Sequence, residues 1–487
     1  MKLKTMELLR KQCYIDGTWQ GAQNGASFPI HNPSTGELIG EVPKMGTEET
    51  QRAIKAAALA LPEWKARTAK ERSLILRRWY ELIIEHIDDL AAILTSEQGK
   101  PLTEALTEIR YGASFIEWFA EEAKRVYGDI IPSAIKDQHL LVIKQPIGVV
   151  GAITPWNFPS AMITRKCGPA LAAGCTIIVK PAEATPFSAF ALAELASKAG
   201  FPPGVINILT GDPAAIGAEM TSNPLVRKIS FTGSTRVGKL LMAQSSGTVK
   251  KVSLELGGSA PFLVFADADI DSAVEGLITS KFRNTGQACV CADRIFVENT
   301  IYDTFAQALI KAVKTLKIGD GFEKGVQQGP LINTAAVEKV ERHLQDAVSK
   351  GAAISCGGKR HPLGKTFFEP TVVENVDFSM HIMKEETFGP VAPLMRFNTE
   401  AEAVRMANDT DYGLASYIYS RDIHRIWRVA EALEFGMVSV NGGFFSNEVA
   451  PFGGVKESGI GREGSKYGLD DYLEIKYICM TGPPIAK

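Results

Sequence analysis

The chain has no run of apolar residues long enough to cross a bilayer, so no membrane-spanning helix is expected in it. Its N-terminal run, MKLKTMELLRKQCYIDG, lacks the continuous apolar segment and small-residue cleavage site of a secretory signal, so a cytoplasmic location is expected. An excess of one charge is missing too. The 53 basic and 55 acidic residues leave a net charge of -2, with no global footprint for nucleic acid or an anionic membrane. Cysteine is scarce, with seven in 487 residues, an odd number scattered from Cys13 to Cys479 and no disulfide framework. The seven histidines form no H-E-x-x-H. Cys289-x-Cys291 has neither a second cysteine pair nor a histidine at ligand spacing, so no metal is expected. Internal repeats and low-complexity linkers are absent as well.

At 487 residues the chain is too long for one ordinary core, so two or three domains are expected. Short β-like runs (Cys13 to Ile15, Phe28 to Ile30) come first, broken by Gly and Asn-Pro. Helical periodicity follows in three runs. One starts near Thr47, one extends from Ala69 to a stop at Gly99 and Pro101, and one ends at Gly128. Phe115, Trp118 and Phe119 in the third read as core. Asp129 to Ile147 alternates as a β-hairpin does, and its pattern suits an arm for subunit contacts or a plain surface hairpin.

From Gly148 strands alternate with helices, implying a parallel, doubly wound sheet whose ligands sit beyond the carboxyl ends of the strands. Four strand ends carry distinctive residues: TPWNFP from Thr154, KPAE from Lys180, GDP from Gly211 and FTGSTRVG from Phe231. A Gly-Ser turn opening a helix offers N–H groups and a positive dipole end to a phosphate, and Lys180 and Glu183 suit a ribose. The same loop, Gly233 to Lys239, satisfies most of a P-loop, but Leu240 stands where the magnesium-holding hydroxyl belongs. A nucleotide-triphosphate-binding protein is therefore the minor reading. Beyond it a second α/β unit runs on, and NEVAPFGGVKESGIGREGSKYG is too glycine-rich and polar for a core element. The tail DDYLEIKYICM reads as a strand pairing with the early hairpin or another subunit.

Between the two α/β units, Val252 to Cys291 carries Glu255 in LELGG and Cys289 in GQAC. A thiolate is a good nucleophile toward carbonyl carbon, and a carboxylate can activate water. Together they can form a covalent acyl adduct and hydrolyse it. Singly, Cys289 reads as a small buried residue and Glu255 as half of an ion pair.

The motifs TPWNFP, KPAE, FTGSTRVG, LELGG, GQACVCADR, EETFGPV and PFGGVKESGIGRE, in this order, resemble the aldehyde dehydrogenase superfamily over essentially the whole chain. The runs PWNFPSAMITRKCGPALAAGC, SKFRNTGQACVCADR and SNEVAPFGGVKESGIGREGSKYGLDDYLEIKY resemble its bacterial succinate-semialdehyde dehydrogenase branch. The resemblance implies an α/β fold with three parts. Residues 1–127 and 147–257 would form a Rossmann-like dinucleotide-binding domain, 258–456 an α/β catalytic domain, and 128–146 with 468–487 a small β oligomerisation arm.

It also implies roles. Cys289 would be the nucleophile, Glu255 the base, and Asn157 with the Cys289 N–H the oxyanion donors. For the cofactor it implies Trp156, Lys180, Glu183, Gly233, Ser234, Leu256, Glu386 and Phe388. NAD or NADP is expected, with NAD favoured because the Glu183 carboxylate suits a free 2′-hydroxyl, and dual use open if Lys180 pairs with a 2′-phosphate. Arg165, Arg283 and Ser446 would hold the distal carboxylate of succinic semialdehyde, or of glutarate semialdehyde one methylene longer. A general dehydrogenase of the same superfamily, or one for another semialdehyde, is the alternative. Cys291, two residues from the nucleophile, is a candidate partner for a reversible disulfide. A homodimer or homotetramer acting on a small semialdehyde, with no nucleic-acid or membrane partner, is the expected state.

Overall fold

Two sheets meet at the motif-bearing loops in the computed structural model, which describes residues 2–482. The last five residues of the expected arm, 483–487, lie outside the described residues. The first sheet has eight strands, and its centre is parallel: Val149–Ile153, Thr176–Lys180, Ile206–Ile208, Val226–Thr232 and Lys251–Glu255. The inner strands Val149–Ile153, Thr176–Lys180 and Ile206–Ile208 are buried almost throughout and read as mostly apolar runs, as parallel strands covered by helices on both faces do. Its edges are antiparallel: Cys13–Ile15 and Thr18–Gln20 at one side, Gly459–Ile460 at the other. The parallel, doubly wound expectation for the stretch from Gly148 thus holds, and the antiparallel edge strands come from elsewhere in the chain.

In register, Ile153 stands beside Lys180 and Phe231, and Thr232 beside Glu255. The distinctive residues therefore emerge along one edge of one sheet. The second sheet has seven strands, with Ala260–Val264, Ala292–Glu298, Thr371–Glu374, Val391–Phe397, Ala415–Tyr419 and Met437–Val440 mutually parallel.

Asp129–Ile131 and Gln138–Pro146 form the expected antiparallel hairpin, and the tail strand Leu473–Thr481 pairs with Gln138–Pro146 along its whole length. One expectation needs correction. The long periodic run from Ala69 is two helices, Ala69–Glu85 and Ile87–Gln98. His86, at φ -102° and ψ 19°, turns the chain between them without Gly or Pro. The second helix opens with Asp88 and Asp89, and the Asp89 carboxylate accepts from the Lys4 and Thr5 N–H groups at 2.8 and 2.9 Å. That tie to the N-terminal segment is tertiary, which is why periodicity alone does not show the break. Phe115 and Phe119 are fully buried in the core of the first unit, with Trp118 partly buried against it. Among the described residues no helix is long and apolar enough to cross a membrane.

Candidate active site

A cavity of about 410 Å³ opens between the two sheets and is lined by Cys289, Asn157, Trp156, Arg165, Arg283, Gly233, Ser234, Leu256, Glu386, Phe388 and Ser446. Eleven of the residues singled out in the sequence thus face one volume. Lys180, Glu183, Glu255 and Cys291 lie outside its lining.

Cys289 sits on a turn whose backbone is tightly specified. Asn284, Thr285 and Gly286 are left-handed in succession, with φ of 50°, 56° and 75°. A β-branched Thr there is strained unless its surroundings hold it. They do: Glu104 accepts from the Asn284 N–H at 2.8 Å, and the Thr285 hydroxyl donates to the Gly329 carbonyl at 3.1 Å. A Cβ on Gly258 would come within 2.2 Å of the Cys289 carbonyl oxygen, so the second glycine of LELGG is needed for the turn to approach.

Asn157 is buried, and its side-chain amide donates to the Gln287 carbonyl at 3.1 Å. An amide nitrogen carries two hydrogens, so one remains for a ligand oxygen. Among the described residues the Cys289 N–H donates to no protein group. Both residues line the cavity, and each keeps a hydrogen without a protein acceptor, as donors to an oxyanion must.

Burial pushes the Cys289 thiol up to about 12, reinforced by Glu386 and Glu255 and opposed by Arg165. Burial likewise raises Glu386 to about 8, with Asp293 adding to it. Glu386 Oε1 accepts from the Gly258 N–H at 2.9 Å. Glu255 is held well above the usual carboxylate range by burial and then by the neighbouring Glu463. Its Oε2 has no hydrogen-bond partner among the described residues. A buried, unpaired carboxylate is costly to ionise and suits a proton acceptor tuned upward.

Glu463 was not singled out in the sequence, yet it organises this region. Burial opposes its charge, but Lys166 and Arg165 hold it below the ordinary carboxylate value. Lys166 donates to it at 2.5 Å and to the Thr232 hydroxyl at 2.7 Å. Arg165 is also buried, with its guanidinium 4.0 Å from the centre of the Phe452 ring. Arg283 lies between Phe158 and Phe444, at 4.9 and 4.8 Å from their ring centres. Tyr111, a lining residue also missed, has its phenol pushed up by burial while Arg165 and Arg283 pull it back. Its helix, Leu102–Glu122, carries no local sign of a site beyond apolar periodicity.

Toward the first sheet, Ser234 caps the helix Thr235–Ser245, accepting from the Val237 N–H at 3.4 Å. With Gly233 it brings a helix N-terminus to the cavity, a ready anion site. Trp156 meets Phe388 edge-on at 5.4 Å. Lys180 and Glu183 are hydrogen-bonded to each other at the end of Thr176–Lys180, on the same sheet edge but beyond the cavity. Lys239 pairs with Glu457 at 2.6 Å on the surface. Cys291 is buried against Phe158, Ala161, Met162 and Ala288, its thiol directed to the Lys281 carbonyl at 3.7 Å. Among the described residues no three His, Cys, Asp or Glu side chains form a metal-binding group.

The family model described as "Aldehyde dehydrogenase family" matches residues 19–478. A glutarate-semialdehyde dehydrogenase of Pseudomonas aeruginosa is 61% identical over 482 residues, covering 99% of this chain and 100% of the relative. An NADP-specified succinate-semialdehyde dehydrogenase of Escherichia coli is 61% identical over 480 residues, covering 99% and 100%. The crystal structure of a succinate-semialdehyde dehydrogenase from Burkholderia pseudomallei superimposes with a TM-score of 0.98 at 63% identity, covering 99% of this chain and 100% of that one. A thiol, two free donors and an anion-binding helix end facing one cavity are what aldehyde oxidation needs, and with these matches they place the chain in the aldehyde dehydrogenase family.

Proposed function

We propose that the chain oxidises a short aldehyde bearing a distal carboxylate, with succinic semialdehyde the first candidate and glutarate semialdehyde the second. One observation carries this reading: two guanidinium groups, Arg165 and Arg283, line the same cavity as the Cys289 thiol. Bringing two such cations to an apolar-walled cavity suits an anionic tail. The names of the relatives above support the same class. Ser446, in the same lining, adds a hydroxyl donor.

The steps follow from the residues. Cys289, once deprotonated, attacks the aldehyde carbon. The carbonyl oxygen gains the negative charge and is held by the Asn157 amide and the Cys289 N–H. A nicotinamide dinucleotide, when bound, accepts the hydride. The thioester left on Cys289 is attacked by water, from which Glu255 removes the proton. The C–S bond breaks and the acid leaves.

The residues fit such a cofactor. Gly233 and Ser234 would take the pyrophosphate, Glu386 the nicotinamide ribose, and Trp156, Leu256 and Phe388 its apolar faces. Lys180 and Glu183 would take the adenine ribose on the extension of the sheet edge. The Glu183 carboxylate favours NAD. Its exposure leaves it free to turn away and release Lys180 for a 2′-phosphate, so NADP is also accepted.

We assign residues 1–127 and 147–257 to the cofactor domain, 258–456 to the catalytic domain, and 128–146 with the tail from 468 to subunit pairing. Gly459–Ile460 pairs with Lys251–Glu255, so the segment beyond 456 also belongs to the first sheet. Ile130, Ile475 and Tyr477 are exposed on the small sheet, whose outer strand Leu473–Thr481 has an open edge, which supports a homodimer or homotetramer. The reading places the enzyme in the cytoplasm. Cys291 remains the proposed partner of Cys289 under oxidation, and such a bond requires its thiol to leave the Lys281 carbonyl.

The test is cofactor reduction with succinic semialdehyde, glutarate semialdehyde and propanal, each with NAD and NADP, in wild type and Cys289→Ala. A semialdehyde rate far above propanal and lost in the variant supports the proposal. Equal kcat/KM on propanal rejects the distal-carboxylate reading.

A further inference from the structure

Lys100 and Glu108 are wholly buried, with side-chain exposure of 0% each, and their charges meet at 2.6 Å. Burying two charges is expensive, and a matched apolar pair is often at least as stable, so stability alone does not explain them. Their other contacts do. Lys100 Nζ donates to the Asn157 carbonyl at 2.7 Å. The second oxygen of Glu108 accepts from the Ser160 and Ala161 N–H groups, at 3.0 and 3.2 Å. The pair therefore grips the turn that carries Asn157 at both its ends. Asn284 Nδ2 reaches the same Asn157 carbonyl at 3.0 Å, tying that turn to the one that bears Cys289. Glu104 and Glu108 lie one turn apart on the helix Leu102–Glu122, and Lys100 stands just before it, so one stretch of chain serves both turns.

We infer that the Lys100–Glu108 ion pair is the positioning device of the oxyanion site, fixing the Asn157 amide relative to Cys289. The inference rests on the reading that Asn157 donates to the oxyanion. Lys100 and Glu108 line no part of the cavity and act only through the turn. An amide displaced by about 1 Å costs on the order of 100-fold in rate, because the donor must meet the oxygen where charge develops.

The experiment is a cycle of Lys100→Met with Glu108→Gln, Asn157→Ala, and the two combined. The amide oxygen that Glu108→Gln introduces keeps an acceptor for the Ser160 and Ala161 N–H groups. The readouts are the pre-steady-state rate of NADH or NADPH formation, the KM for the aldehyde and the melting temperature. The ion-pair variant is expected to melt near wild type, form reduced cofactor about 10- to 100-fold more slowly, and hold KM within about threefold. On the Asn157→Ala background the same change should cost nothing further, as a residue acting through Asn157 requires. Lys100→Met alone, which leaves Glu108 its Ser160 and Ala161 N–H partners and a carboxyl that can take up a proton, is read in the same cycle and keeps the test open where the paired change fails to fold. A wild-type rate in the ion-pair variant, or a loss that multiplies with that of Asn157→Ala, overturns the inference while leaving the oxyanion reading intact. A wild-type rate in Asn157→Ala overturns both.

Discussion

Arg165 Nη2 stands 2.9 Å from Glu463 Oε2, in ion-pair range but angled so that Arg165 Nε and Nη2 make no hydrogen bond among the described residues. Arg165 is thus neutralised yet still has donors to give. Arg283 differs. Among the described residues it has no carboxylate within ion-pair range and rests between two aromatic rings.

That difference separates the two arginines in a substrate series. Arg283→Met removes a free cation without orphaning a carboxylate. It is expected to raise the KM for succinic semialdehyde about 10- to 100-fold, the worth of charge-assisted hydrogen bonds, and to leave propanal oxidation nearly unchanged. Arg165→Met leaves Glu463 with Lys166 alone, so it should lower the melting temperature as well as the affinity. Steady-state kinetics and thermal melts on both variants check this.

The thiol should alkylate slowly in the unliganded enzyme. With Cys289 at about 12, each rise of one pH unit through the neutral range increases the thiolate about tenfold. Glu386 contributes to that elevation only when ionised, above its own value of about 8. Glu386→Gln removes a negative charge and so lowers the Cys289 value. The variant should react with iodoacetamide faster than wild type at pH 9 and at nearly the same rate at pH 6.5. Rates of inactivation at the two pH values decide it.

Gly258→Ala places a methyl 2.2 Å from the Cys289 carbonyl oxygen, a backbone atom that cannot swing aside. The turn must shift. A loss of about 1–3 kcal/mol in stability and a larger loss in kcat are expected, measured by denaturant unfolding and by turnover.

Oxidant-reversible inactivation tests Cys291. In Cys291→Ala, hydrogen peroxide should still inactivate, but dithiothreitol should no longer restore activity, because the thiolate then proceeds to higher oxidation states. Equal recovery in variant and wild type rejects a Cys289–Cys291 disulfide.

Much of the site was legible because its parts are local. Gly233-Ser234, Gly257-Gly258 and Gln287-Ala288-Cys289 are each short runs whose residue types are dictated by backbone approach or by a helix end, and these leave a pattern in the sequence. Glu463 left none. Its partners Arg165 and Lys166 lie almost 300 residues earlier, and a side chain that meets its neighbours only in the folded state has no periodic trace. Tyr111 and Lys100 escaped for the same reason. The Glu255 carboxyl was legible as chemistry but not as placement: outside the cavity lining, it is set by Glu463 and by the approach of Gly453, where a Cβ would lie 2.9 Å from its Oε1.

The antiparallel edge at Gly459–Ile460 bears on how the protein is made. A ribosome delivers the parallel strands of the first sheet more than 200 residues before it delivers the strand that flanks Lys251–Glu255. Until Glu463 emerges, Arg165 and Lys166 have been synthesised without the carboxylate that balances them. A nascent chain can therefore assemble most of its first core while Arg165 and Lys166 still wait for a carboxylate that follows them by almost 300 residues.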